Sequence, residues 1–191
     1  MLHEFKMDIA VPCASSLEAS VIPDVRVDDV NALQIRQATV GDVHGMSALI
    51  NEFASSKVML ARGPQYLYER IMDYIVVTAP RADGLPGQVV VGCGSSHILW
   101  EDFAELRSVA VHPACQRSGL GKRIVNELVR RSKAVGIRRV FVFTLAVNFF
   151  TSCGFTPVPR EEMPRIVWVE CSKCPKFYRC DEVGMVRNLE E

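Results

Sequence analysis

His112–Ile124, HPACQRSGLGKRI, is the stretch on which the reading of this chain turns. The apolar run Val109–Val111 leads into it and an amphipathic run leads out of it, so it is a junction from strand to helix. Gly119 and Gly121 let the backbone turn tightly and approach a ligand with no Cβ in the way. Free amides at the head of the following helix converge on an anion, helped by the positive end of the helix dipole. The dipole is worth about 0.3–1 kcal/mol, and charge-assisted hydrogen bonds, roughly 1.5–3 kcal/mol each, contribute more. Gln116, Arg117, Ser118, Gly119, Leu120, Gly121 and Lys122 form the candidate anion site. Two common phosphate loops do not fit: G-x-x-x-x-G-K-[ST] is absent, and Ile124 stands where the last glycine of G-x-G-x-x-G belongs. A plain tight turn with a helix cap is the alternative reading.

Upstream, LQIRQA alternates as a half-buried strand does, and Thr39 opens a helix carrying Val43, Met46, Leu49, Ile50 and Phe53 at helical spacing. A second short helix is predicted over 65–73, with Leu67 and Ile71 on one face. YIVVTA, QVVVGCGSSHILW and ELRSVAV read as three strands, the first two joined by the turn-rich RADGLPG, with a bulge expected near Gly92 and Gly94. The best helix runs from Gly121 to Val135, with Leu120, Ile124, Val125, Leu128 and Val135 as its apolar stripe and Gly136 as its stop. RRVFVFTL is a strand, NFFTSC a short helix, and the tail from Pro157 is loop with a late strand near EVGMV. The order βααβββαβαβ makes an α/β (α+β) domain around a mixed, mainly antiparallel sheet.

At 191 residues and zero formal net charge, the chain fits one globular domain and shows none of the basic excess that marks a nucleic-acid partner. No apolar run approaches the ~20 residues that span a bilayer. Residues 1–32 read as a flexible N-terminal leader and 33–191 as the domain. Seven cysteines, odd in number and scattered apart from Cys171, Cys174 and Cys180, point to reduced thiols in a cytoplasmic protein. The trio is one ligand short of a closed zinc site, so no metal is expected. Cys115 and Cys153 flank the proposed groove but have no His–acid pair to activate them.

The pattern [QR]-x-x-G-x-[GA] after a strand and at a helix head, here Gln116 to Gly121, resembles the pyrophosphate loop of the GNAT superfamily acetyltransferases. ELRSVAV resembles that family's fourth strand, and NFFTSCGF its N-x-x-F-Y-x-x-x-G-F element. The agreement runs from Leu33 to about Val186. KVMLARGPQYLYERI, VFVFT and CGFTPVPREEMP are similar to the acetyltransferase domain of the N-acetylglutamate synthases, and CSKCPKFYRC to the tail of their short forms, which lack the amino-acid kinase domain.

The resemblance implies a single GNAT-like domain using acetyl-CoA as co-substrate, with no metal. The cofactor would meet the backbone at Val109, Ala110 and Val111, the loop Gln116–Lys122, and Asn148 and Phe150. It also implies a small-molecule acceptor, the α-amine of an amino acid, with L-glutamate acetylated for arginine biosynthesis, and it allows a homodimer. The rival readings are a GNAT enzyme for another amine (another amino acid, a polyamine, a protein N-terminus), or a binding module that senses acetyl-CoA or is stabilised by zinc.

An ammonium cannot attack a thioester, so the site needs a proton acceptor and donors for the developing oxyanion. Glu105 is the candidate base, acting through a water. Strand alternation places Glu105, Arg107, Val109 and Val111 on one face and Leu106, Ser108 and Ala110 on the other. Carboxylates on the acceptor call for Arg or Lys, and Arg62 and Arg107 are the candidates, with Lys176 and Arg179 in the tail. Many relatives carry Tyr at the place of Phe150 to protonate the departing thiolate. Phe cannot donate a proton, which leaves a water or Thr144.

Overall fold

The computed structural model describes residues 22–172, 174 and 176–189. Seven strands form one sheet in the order β1-β2-β3-β4-β5-β7-β6. In chain order the elements are β1 (Ile35–Gln37), α1 (Val43–Ser55), α2 (Pro64–Glu69), β2 (Tyr74–Pro80), β3 (Gln88–Trp100), β4 (Phe103–Val111), α3 (Leu120–Ala134), β5 (Arg139–Thr144), α4 (Val147–Ser152), β6 (Thr156–Pro157), α5 (Val167–Cys171) and β7 (Val183–Asn188). Every neighbouring pair is antiparallel except β4 and β5, which run parallel. The mixed, mainly antiparallel sheet is the one expected.

The sheet has helices on both faces. On the first, α3 buries Leu120, Ile124, Val125, Leu128 and Val129 against Ile75, Val77, Val91, Ala104 and Leu106, and α4 adds Phe150. Each such side chain fully removed from water is worth about 1.5–3 kcal/mol. The stripe predicted for α3 holds except at its end. Val135 is 66% exposed, because the helix stops at Ala134 and Gly136 turns the chain away at φ 93°, and Val129 is buried in its place.

On the second face α1 and α2 cover one half, burying Val43, Met46, Leu49, Ile50 and Leu67 against Tyr74, Val76, Val90 and Ala110. The segment around α5 covers the other half through Met163 and Val167, which pack on Phe103 and Phe141. The sequence predicts loop from Pro157 up to the late strand, whereas the structure ends a short strand, β6, at Pro157 and forms a helix, α5, beyond it. Both are too short to carry a periodic signal and form only where β7 and the Phe141–Phe143 surface receive them. The second helix ends at Glu69, and a separate 3-10 turn, Ile71–Asp73, completes the span predicted as one helix.

Of the predicted leader, residues 1–21 lie outside the described residues. Residues 22–32 are strapped to the domain: Val25 bridges Arg81, Val25, Val27 and Val30 pack on the core, and the Arg123 guanidinium donates to the carbonyls of Val30 at 2.8 Å and Leu33 at 2.7 Å.

Candidate active site

Parallel pairing between β4 and β5 covers only Phe103–Glu105 against Arg139–Phe141, while β5 continues along β7 as far as Thr144. Beyond Glu105 the two strands part, and a cleft of about 350 Å³ opens at the parting. Its wall includes Arg62 before α2, Glu105–Val109 of β4, Val142–Ala146 at the end of β5, Phe149 and Phe150 of α4, and Arg160, Phe177 and Glu182 of the tail.

The register of β4 breaks inside this wall. Arg107 pairs with Ser95 and Ala110 with Cys93, so Ser108 and Val109 together stand opposite Gly94. Ser108 takes φ 52°, the left-handed region, and its hydroxyl meets Tyr74 Oη at 3.2 Å. This bulge overturns the predicted alternation, because one extra residue moves every later side chain to the other face. Arg107, bonded to Glu105 on its own face, turns to α2, whereas Val109 and Val111 turn to the α3 side with Leu106. Ser108 and Ala110 stay on the second face. The bulge expected on β3 near Gly94 thus lies on β4, while near Gly92 the extra residue is Val91 of β3. A Cβ on Gly92 or Gly94 would come within 2.7 and 3.0 Å of Ile124 and Leu128, so these glycines let α3 lie directly on the sheet.

Past the bulge, His112 N–H donates to Val91 O on the β3 side. The two-residue period then points the amides of Val109 and Val111 the other way, into the parting. Gln116 Nε2 donates to Val111 O at 3.1 Å and ties the anion loop to this edge. Within the loop Arg117 has φ 58° and Gly119 φ 86°, and α3 begins at Leu120. The first amides of a helix have no partner inside it, and here the Leu120 amide meets the Ser118 hydroxyl at 3.4 Å. Arg117 and Lys122 are exposed and form no ion pair among the described residues. Gly121 also carries a packing constraint. A Cβ there would lie 3.3 Å from the Phe149 ring, so the residue admits α4 beside α3.

Glu105 and Arg107 form the polar centre. Arg107 Nε donates to Glu105 Oε2 at 2.7 Å and Arg107 Nη1 to Tyr66 Oη at 3.4 Å, with the guanidinium almost wholly buried. Burial pulls the Arg107 pKa down, but Glu105 outweighs it and the group ends above its ordinary value. Arg62 presents its guanidinium over the Tyr66 ring at 4.2 Å, and its Nε is buried without a hydrogen-bond partner among the described residues. Thr144 Oγ1 accepts from the Ala146 amide at 2.9 Å, so its hydroxyl proton remains to be donated. Phe150 lines the cleft with its ring edge-on to Phe149 and Phe155. Asn148 is exposed on α4 and does not reach the wall.

Sequence reasoning missed Tyr66, Arg160 and Glu182. Only Tyr66 carried a signal, since Arg62, Tyr66 and Arg70 follow one another at intervals of four. Glu182 is half-buried, accepts from the Cys180 thiol, and is pushed above the usual carboxylate range chiefly by burial, with Asp181 and Glu105 adding to the rise and Lys176 opposing it. Cys171, Cys174 and Cys180 share this wall, and burial lifts Cys171 to about 11. No three metal-ligating side chains converge among the described residues. Cys115 and Cys153 are buried with raised pKa values, which removes the means of forming a nucleophilic thiolate. Lys176 pairs with Asp181 at 3.9 Å, and neither it nor Arg179 lines the cleft.

Residues 53–155, the span that holds β4, the anion loop and α4, match the Acetyltransferase (GNAT) family. The chain belongs to that family. As a GNAT protein with this cleft, it is an N-acetyltransferase. An uncharacterized N-acetyltransferase of Chlorobaculum tepidum is 32% identical over 155 residues, which cover 81% of this chain and 96% of that protein. An amino-acid acetyltransferase of Mycobacterium tuberculosis is 36% identical over 124 residues, covering 65% of this chain and 68% of the relative. Among solved structures, Rv2747 of M. tuberculosis in complex with CoA and NLQ superposes with a TM-score of 0.67 at 29% identity, covering 82% of this chain and 99% of that one. N-acetylglutamate synthase from Neisseria gonorrhoeae, complexed with coenzyme A and N-acetyl-glutamate, shares the fold with a TM-score of 0.71 at 24% identity, over 83% of this chain and 35% of its own. Among the described residues no helix is long and apolar enough to cross a membrane.

Proposed function

We propose that this GNAT protein transfers the acetyl group of acetyl-CoA to the α-amine of an amino acid, and that the amino acid is L-glutamate. The observation that carries the reading is the parting of β4 from β5. Glu105 and Val109 line the cleft that opens there, and the loop Gln116–Lys122, tied to the end of β4 by the Gln116–Val111 hydrogen bond, supports a cofactor seat that continues from it. The amide-rich loop suits the diphosphate of the cofactor. The amides of Val109 and Val111 suit the pantetheine and the thioester oxygen, where they hold the charge that develops on attack.

Glu105 takes a proton from the substrate ammonium through a water, and the freed amine attacks the thioester carbon. Attack leaves one surplus proton on the nitrogen. As the intermediate collapses, that proton passes through a water, or through the Thr144 hydroxyl acting as a relay, to the departing sulfur of coenzyme A, giving the neutral amide and the free thiol. Two cations on the wall, Arg62 and Arg160, lack a carboxylate partner among the described residues and offer seats for the two carboxylates of glutamate. The amino-acid acetyltransferases among the relatives support the acceptor class.

Coenzyme A release from purified protein and acetyl-CoA, measured against the twenty amino acids and spermidine, tests the reading. Glutamate is expected to give the highest kcat/KM. Turnover of another amine in its place removes the glutamate assignment and leaves the family chemistry, while release with none of them removes both.

A further inference from the structure

Three guanidiniums converge on one aromatic ring at the acceptor wall. Arg62 and Arg70 lie over Tyr66 with their Cζ atoms 4.2 and 4.3 Å from its centroid, and Arg107 donates to its hydroxyl at 3.4 Å. Charges of like sign do not gather without a reason, and their counter-charges are unevenly shared. Arg107 has Glu105, and Arg70 has Glu69 at 3.5 Å. Arg62 has no carboxylate among the described residues, and it is the member of the Arg62–Arg70 pair that lines the cleft. The Nε atoms of Arg62 and Arg70 are both buried and without a hydrogen-bond partner among the described residues. The π-face of Tyr66 is therefore the main electrostatic support of the Arg62 head group. Behind it the backbone of Arg62 is fixed by α1: its amide donates to Asn51 Oδ1 at 3.0 Å, and its carbonyl accepts from Ser47 Oγ at 3.0 Å and Asn51 Nδ2 at 3.2 Å.

We infer that Tyr66 is a positioning residue for the acceptor, holding the Arg62 guanidinium in place to receive one carboxylate of the substrate while its hydroxyl steadies the Arg107 that carries Glu105. The inference rests on the acetyl-transfer reading and adds the part of the site that selects an anionic acceptor. A preorganised cation spares the ordering cost that a free side chain would pay when the ligand arrives. Arg70 holds the ring from outside the cleft and meets no substrate.

Steady-state kinetics of Tyr66→Leu, Tyr66→Phe and Arg70→Gln test this, with KM measured separately for acetyl-CoA and for the best amino acid. Tyr66→Leu removes both ring and hydroxyl, and is expected to raise the amino-acid KM about tenfold or more with the acetyl-CoA KM within about twofold of wild type. Tyr66→Phe keeps the π-face and is expected to hold the amino-acid KM within about threefold, with the lost hydroxyl contact to Arg107 lowering kcat instead. Arg70→Gln leaves the ring without its outer support and gives an intermediate rise, which keeps the test decisive should Tyr66→Leu fail to fold. A merely structural tyrosine would move both KM values together with the melting temperature, and that result overturns the inference. So does an unchanged amino-acid KM in Tyr66→Leu and Arg70→Gln. Absence of turnover by the wild-type chain with every amine overturns both this and the acetyl-transfer reading, whereas normal turnover with indifferent variants overturns this alone.

Discussion

Arg107 Nε stands 2.7 Å from Oε2 of Glu105, two residues earlier on the same strand, and the pair occupies the point where β4 leaves β5. The arginine is 7% exposed and the glutamate 16%. A pair this buried is weak evidence of stability in itself, yet breaking it from one side is costly because the partner charge is stranded. Arg107→Met is expected to destabilise the fold by about 3 kcal/mol, a fall of roughly 6–12 °C in Tm for a chain of this size. The double variant Glu105→Gln/Arg107→Met should recover most of that loss. Calorimetric melting of the three proteins checks it, and a double variant no more stable than Arg107→Met would show that the pair is not coupled.

Glu105→Gln keeps the shape of the side chain and removes its capacity to take a proton. The expected loss in kcat/KM is about 10²–10⁴-fold near neutral pH. It should shrink as pH rises, because the acceptor amine is then free without help from the protein. A pH–rate profile of the same form as wild type, merely scaled, would take Glu105 out of the proton-accepting role.

Gly119 and Gly121 sit two residues apart and serve different purposes, which substitution can separate. Gly119 has φ 86° and open space where a Cβ would stand, so Gly119→Val meets backbone strain of about 1–2 kcal/mol and should raise the acetyl-CoA KM by disturbing the amide loop. Gly121→Ala would press on the Phe149 ring at 3.3 Å. Its effect should be relieved by Phe149→Leu, whereas that of Gly119→Val should not. Initial rates at varied acetyl-CoA decide between the two.

Much of this arrangement was legible in the sequence, and the parts that were not share a cause. The junction at His112–Ile124 declares itself because turn chemistry and helix amphipathicity are local, and α3 begins within one residue of its predicted start. The face assignment of β4 failed at Ser108. A serine at φ 52° has no local mark, and the bulge is accommodated where Gly94 lets α3 lie on the opposite side and the Tyr74 hydroxyl donates to the serine oxygen. Glu105, which lines the cleft, is marked by its place in a strand motif, while Glu182 and Arg160 reach the cleft only through the packing of the tail on Phe143 and Trp168. Such contacts join positions far apart in the chain, and periodicity does not record them.

Away from the cleft, Asp42 links the first strand to the first helix. It accepts from both Arg36 Nη atoms at 2.7 Å and from the Thr39 amide at 2.8 Å, and the Arg36 hydrogen bonds hold its carboxyl at about 2, below the ordinary 3.8. The folded value is the lower one, so the group stabilises the fold above about pH 4 and the contribution fades as pH falls toward 2. With Arg36 nearly half exposed, solvent screening limits the effect to about 1 kcal/mol. Asp42→Asn should lower stability at pH 7 and lose that difference near pH 2. A constant difference from pH 2 to 7 in denaturant melts would sink the assignment.

Glu182 should show the opposite slope. Burial disfavours its ionised form, Asp181 and Glu105 add like charge, and Lys176 only partly offsets them, so its carboxyl lies above the usual range in the fold. With the folded value raised, the native state binds the proton more tightly than the unfolded chain. Stability then declines as pH climbs from the unfolded value through the folded one. Glu182→Gln removes the charge while keeping the size and the acceptor for the Cys180 thiol. The variant should therefore match wild type near pH 4 and exceed it in stability at pH 8. Chemical denaturation across that interval gives the answer, and a variant less stable than wild type at pH 8 would mean that the ionised carboxylate makes a contact the buried wall needs.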